Sequence, residues 1–157
     1  MRIEYENKFS DLLLFNAVHQ FRSPVLQGLY LLFFALFFWS ELNYGTTSAA
    51  ATSASLWYLA MWVLQFGFNA AYLFSKDNKS VLTMHIVEIQ DEAFFEETKF
   101  NKSFFYWPGI VKAVSRPGFV AVYVAAHMAH IIPNRAFSSK EQRDRFLALV
   151  REKIDAA

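Results

Sequence analysis

The sequence predicts a membrane α-helical hairpin joined to a small α+β domain, an antiparallel sheet with a C-terminal helix. Three observations predict it. Between Ser23 and Ser75 a single residue, Glu41, carries a charge. From Val81 onward the continuous apolar runs give way to alternating segments separated by turn residues. A final amphipathic stretch opens with a helix-start signature at Ser138. The composition agrees: 55% hydrophobic, with 18 Phe, 7 Tyr and 4 Trp, is unusually aromatic for a water-soluble chain.

Residues 1–23 read as a strand and an interfacial helix. Arg2 to Glu6 alternates polar and apolar, the pattern of a half-buried strand whose partner is expected in the C-terminal sheet. Ser10 or Asp11 caps a helix with Leu14, Phe15, Val18 and Phe21 at helical spacing, suited to lie in the headgroup boundary. The Ser23-Pro24 step turns the chain into the membrane, since proline is accepted at a helix's first position.

Residues 24–75 hold the expected hairpin, with spans 24–42 and 56–74. Each run approaches the ~20 apolar residues needed to cross a ~30 Å hydrocarbon core. The uncharged stretch 43–55 is read as the turn between them. Lys8 and Arg22 precede the first span, Lys76 and Lys79 follow the second, and the turn has no Lys or Arg. The positive-inside rule then places both termini in the cytoplasm of a bacterial inner membrane. Trp39, Tyr44, Trp57 and Tyr58 cluster at the turn, where ring side chains favour the headgroup level. A signal peptide cleaved near Ala49-Ala50-Ala51 is the weaker reading, because a second apolar run follows directly. In that second span Gln65 and Asn69 share a face, and Gly67 and Ala71 supply a small-xxx-small spacing for close helix packing.

Residues 76–157 read as the water-facing domain. Strands are expected at Val81–Ile89, Ala93–Phe100, Ser103–Trp107, Ile110–Ser115, Phe119–Ala126 and His130–Pro133, with turns at Asn101-Lys102 and Pro117-Gly118. Ser138 and Glu141 form a capping box, and Phe146, Leu147, Val150 and Ile154 form the apolar stripe of the last helix.

Chemistry-bearing constellations are sparse. The chain has no cysteine, which removes disulfides and thiolate chemistry. A net charge of +1 offers no basic face for nucleic acid. His127 and His130 are three apart, on opposite faces of a strand, and read as hairpin-tip residues rather than metal ligands. The pairs Asp91-Glu92 and Glu96-Glu97 read as solvated surface. Trp107, Arg116 and Arg135 are the candidate binding residues, an aromatic and two cations suited to lipid phosphates or an acidic partner; the structural alternative puts Trp107 in the core and the arginines at element ends.

The chain resembles the YcxB-like family of bacterial membrane proteins. The resemblance rests on the opening YENKFSDLLLFNAVHQFRSP, on EETKF, on Trp107 followed by Ile110, and on FVAVYVAAHMAHIIPNRAF before the last helix. Trp107-Pro108-Gly109 departs from it, since a small polar residue usually follows the Trp. The resemblance implies two membrane helices and a domain like bacterial pleckstrin-homology (PH) folds, and it implies no established chemistry. The expectation is a non-enzymatic inner-membrane protein that presents a PH-like domain at the cytoplasmic leaflet for protein or lipid binding. It needs no cofactor and no metal; its partners would be membrane lipid and a protein partner or further copies of itself. Alternatives are an immunity-type protein that neutralises a membrane-targeting toxin, and a small transporter or channel component.

Overall fold

The structure is a computed structural model, and it describes residues 1–75, 81–126 and 128–157. The chain divides into two compact units. One holds residues 1–15 with the C-terminal half; the other is Asn16–Ser75. The expected membrane flank at Lys76 and Lys79 lies outside the described residues.

The Asn16–Ser75 unit is built on two long helices, α2 (Pro24–Leu42) and α3 (Thr47–Leu73). Ser23 caps α2 through its side-chain oxygen, with Pro24 at the first helical position. Thr46 caps α3 by accepting from the Ala49 N–H at 3.3 Å. The expected turn 43–55 is therefore mostly helix, and α3 begins at Thr47 rather than Leu56. The reason is compositional: Ala is the strongest helix former, and one Thr cap suffices to start an Ala-rich run.

The hairpin packs on aromatic rings and small residues. Tyr30 is buried edge-on to Tyr58 and Trp62, and Phe37 stacks on Trp57 at 4.8 Å. Ala50 and Ala54 are completely buried, so they make the close approach. Gln65 and Asn69 are half-buried, whereas Gly67 and Ala71 are exposed, and a Cβ added at Gly67 would meet nothing. The outward faces of both helices carry large apolar side chains, including Leu31, Leu36, Val63, Leu64 and Phe68.

Among the described residues α2 alone is both long and apolar enough to cross a membrane, with a mean hydropathy of 1.6. Gln65, Asn69 and the Trp and Tyr residues of α3, which hydropathy scales score low, keep α3 beneath that mark.

The other unit contains seven strands in two sheets. The first has the order β1 (Arg2–Glu6), β2 (Met84–Ile89), β3 (Ala93–Thr98), β4 (Lys102–Tyr106), all antiparallel. The second is the meander β5 (Lys112–Arg116), β6 (Phe119–Ala125), β7 (Met128–Pro133). The N-terminal strand pairs with β2 in the register Ile3↔Val87 and Tyr5↔His85, so α2 and α3 are inserted between two adjacent strands of one sheet. Pro117 and Gly118 close the β5–β6 hairpin; Gly118 sits at φ 90°, where a side chain would be strained.

The core lies between the sheets and under the last helix, α4 (Lys140–Asp155). Val87, Phe94, Val120, Val122 and Ile132 come from the strands, and Phe146, Leu147 and Val150 from α4. The N-cap of α4 is Ser139, one residue later than expected: its oxygen accepts from Gln142 N–H at 3.2 Å, while the Gln142 carbonyl accepts from Ser138 N–H at 2.6 Å. Ser139-x-x-Gln142 satisfies the same motif as Ser138-x-x-Glu141, so the spacing alone was degenerate. Before α4, the start of helix α1 (Phe9–Phe21) belongs to this unit. Its Leu12 is buried, and Phe15 meets Phe119, the first residue of β6, edge-on at 5.7 Å.

Candidate functional site

The most unusual chemistry in the chain is a buried carboxylate held by two histidines. Along β3 the side chains alternate, so Glu96 shares the inward face with Phe94. On β2, His85 shares that face with Val87, diagonal to Glu96 across the strand pair. His130 reaches the same point from β7, in the other sheet. The Glu96 Oε1 atom receives His85 Nδ1 at 3.0 Å and His130 Nδ1 at 2.9 Å. Glu96 thus bridges the two sheets.

Surrounding groups fix the rings. Tyr5 stacks on His85 with the ring planes 11° apart, and Phe94 and Phe105 pack on His130. His85 Nε2 lies 3.0 Å from the Val81 carbonyl oxygen. That carbonyl and the Glu96 carboxylate are both acceptors, so the hydrogen-bond pattern calls for a proton on each His85 nitrogen. Burial pushes the Glu96 carboxyl up, but the hydrogen bonds and charges of His130 and His85 win and hold it at about 2. Burial and the Glu96 charge push the Tyr5 phenol above its ordinary value, keeping it neutral.

Stability should follow from this. A carboxyl ionising at about 2 in the folded chain and at 4.5 otherwise stabilises the fold above pH 4.5. That contribution is lost as pH falls from 4.5 towards 2. Urea unfolding across this window should show a steeper loss in the native chain than in Glu96→Gln; parallel curves would remove Glu96 as the cause.

A cavity of about 420 Å³ opens beside the cluster, lined on its polar side by Tyr5, Asn7, His85, Glu96, Thr98 and His130. Among the described residues three buried polar atoms here have no hydrogen-bond partner: Tyr5 Oη, Asn7 Oδ1 and His130 Nε2. The cluster is not arranged as a metal centre. Both Nδ1 atoms meet the same carboxylate oxygen, at ordinary hydrogen-bond distances. Among the described residues no group of His, Asp or Glu is placed to hold a metal ion.

Two sequence expectations are corrected here. Glu96 is buried rather than solvated, because strand alternation puts it on the face of Phe94 and Glu97 on the other. His130 sits within β7 and faces the core rather than a hairpin tip; His127 lies outside the described residues.

The candidate binding residues Trp107, Arg116 and Arg135 serve separate places. Trp107 is 4% exposed, packs against Phe94, and donates its indole N–H to the Gln90 and Asp91 carbonyls at 3.2 and 3.1 Å. Arg116 donates to the Ser115 carbonyl at 3.2 Å. Arg135 grips Asp11 with both terminal nitrogens and donates to the Glu6 carbonyl at 2.7 Å, tying β1 and the start of α1 to the end of β7. Burial raises the Asp11 carboxyl, yet the Arg135 hydrogen bond, the Lys8 N–H and the two cations outweigh it and hold Asp11 below its usual value. Arg135→Ala should cost about 1–2 kcal/mol in urea unfolding, the value of a two-pronged charged bond; no change would show the grip to be idle.

Residues 89–150 match the model of the YcxB-like protein family. That stretch of the chain is similar to the YcxB-like family. Comparisons with curated proteins and with solved structures return no significant match. The YcxB-like span runs from the end of β2 into α4 and includes Glu96 and His130. Tyr5, Asn7 and His85 complete the cluster from outside it, so the site depends on residues before and after the two long helices. The missed signal was the shared strand face of His85 with Val87 and of Glu96 with Phe94.

Proposed function

We propose that this chain is a two-pass protein of the bacterial inner membrane, with both termini cytoplasmic. It presents its YcxB-like domain, read as PH-like, at the cytoplasmic leaflet to bind a protein or lipid, without catalysing a reaction. The observation that carries this reading is the outward apolar surface of both long helices. Val25, Leu31, Leu36, Trp39, Val63 and Phe68 are each more than half exposed, a density that water would penalise and lipid tails accept. Four strands and three strands closed by a C-terminal helix support the PH-like description. The binding role rests on the absence of any catalytic series in the sequence.

Because the chain has no cysteine, the topology is directly testable. Single cysteines at Ser48, in the turn-proximal end of α3, and at Asp155, at the end of α4, are offered to a membrane-impermeant maleimide on intact spheroplasts. Ser48→Cys should label and Asp155→Cys should label only after lysis. Labelling of both before lysis, or of neither, would overturn the two-pass topology. Gentle solubilisation from native membranes with mass spectrometry of co-eluting protein and lipid then tests the binding role; a bare chain carrying bulk lipid alone would count against it.

A further inference from the structure

Among the described residues β4 is the one sheet edge of the C-terminal domain that carries no guard. β1 alternates the charges of Arg2, Glu4 and Glu6, and Arg135 holds its Glu6 carbonyl at 2.7 Å. From α4, Arg151 donates to the Ala113 carbonyl of β5 at 3.1 Å. β7 has a register irregularity beside Met128 and ends on Pro133, both devices that discourage pairing. β4, with the sequence Lys-Ser-Phe-Phe-Tyr, has neither bulge nor proline and a single charge at its start.

The β3–β4 hairpin fixes which atoms face that edge. The Thr98 N–H donates to the Asn101 carbonyl at 2.8 Å at one end, and the Trp107 N–H to the Glu92 carbonyl at 3.4 Å at the other. Bonded and non-bonded positions alternate in an antiparallel pair. Ser103 and Phe105 therefore bond to β3, while Lys102, Phe104 and Tyr106 turn their N–H and C=O groups outward. The side chains of these three share one face: Phe104 is 56% exposed and Tyr106 64%, and Phe104 meets Phe95 at 4.9 Å between ring centres.

This edge is complementary to itself. A second copy, turned antiparallel about a two-fold axis at Phe104, sets Phe104 opposite the partner's Phe104 and Lys102 opposite the partner's Tyr106. Each such pair exchanges two backbone bonds, because all three residues face outward. The strand's one cation then lies beside an electron-rich ring. The chain already makes that pairing elsewhere: Lys112 and Tyr123 are cross-strand partners, with Nζ 4.9 Å from the ring centre. The Phe95–Phe104 contact continues into its copy as a single row of rings. A parallel approach would instead set Lys102 against Lys102.

We propose that β4 is a self-association edge, at which two copies of this chain join their four-stranded sheets into one. A five-residue contact is small beside the ~1,200–2,000 Å² of a stable complex, so the pairing is a reversible one.

The test is disulfide trapping of the full chain in detergent micelles, free of background because the chain has no cysteine. Bonded antiparallel partners stand about 5.5 Å apart at Cα, within disulfide reach. Phe104→Cys should therefore cross-link to a dimer under mild oxidation. Ser103→Cys, whose copy stands diagonally at about 7–8 Å, should not. At the neighbouring pair the sign of charge decides. In the Phe104→Cys background, Tyr106→Glu faces the partner's Lys102 and should keep the cross-link, whereas Tyr106→Lys should cut its yield about tenfold or more. Both changes fall on one exposed position, so a general loss of folding would strike them alike. No dimer from Phe104→Cys, equal trapping from Ser103→Cys, or the same response to both charges would each overturn the proposal. So would capture of a different protein in place of a second copy when the trapping is repeated in native membranes.

Discussion

Replacing Glu96 with alanine should destabilise the C-terminal domain by on the order of 3–5 kcal/mol, the largest single-residue effect expected in the chain. The carboxylate is the shared acceptor of His85 and His130, and its removal strands two ring nitrogens in a closed space between the sheets. His85 is hit hardest, since its other nitrogen stays committed to the Val81 carbonyl. The midpoint of urea unfolding, followed by the fluorescence of buried Trp107, measures the loss. Glu96→Gln should lose less, because one carbonyl acceptor survives. A combined exchange of Glu96, His85 and His130 for Leu should recover much of the loss, as apolar groups of similar volume commonly replace buried ionic clusters without penalty. An alanine effect below about 1 kcal/mol would refute the cluster as a structural clasp.

The second large effect is expected from removing β1. A fragment that begins at residue 81 should not fold, although it retains six strands and α4. It lacks Ile3 and Tyr5, both core members, and each large core side chain is worth about 2–5 kcal/mol. It also lacks Asp11 under Arg135, and it bares the edge of β2, whose unpaired N–H and C=O groups invite aggregation. These losses approach the ~5–15 kcal/mol margin of a whole domain. Two-dimensional NMR of the fragment should show collapsed dispersion, restored by adding a peptide of residues 1–15. A well-dispersed spectrum without the peptide would show β1 to be dispensable.

Sequence reasoning reached some of this and not the rest, for physical reasons. The alternation of Arg2–Glu6 is a local signal, and the strand formed where it predicted, against β2. The apolar run 24–42 is likewise local, and α2 coincides with it. Residues 43–55 failed because Ala, Ser and Thr are ambiguous between turn and helix until a cap chooses. Arg135 meets Asp11, 124 residues away, a contact that no local spacing announces. Glu96 looked like surface because adjacent acidic residues usually are. Its burial follows the alternation that it shares with Phe94, whereas its partner His130 lies 34 residues on in the other sheet, which no local spacing announces.

The placement of the two long helices between β1 and β2 also sets an order of events during synthesis. β1 leaves the ribosome first, and its pairing partner begins only at Met84. At ordinary elongation rates the interval is roughly 4–16 s. Through that time Ile3 and Tyr5 have no sheet to join, while both long helices emerge. The sheet closes only when the later strands arrive, so a finished domain certifies that everything between its first two strands has already been made.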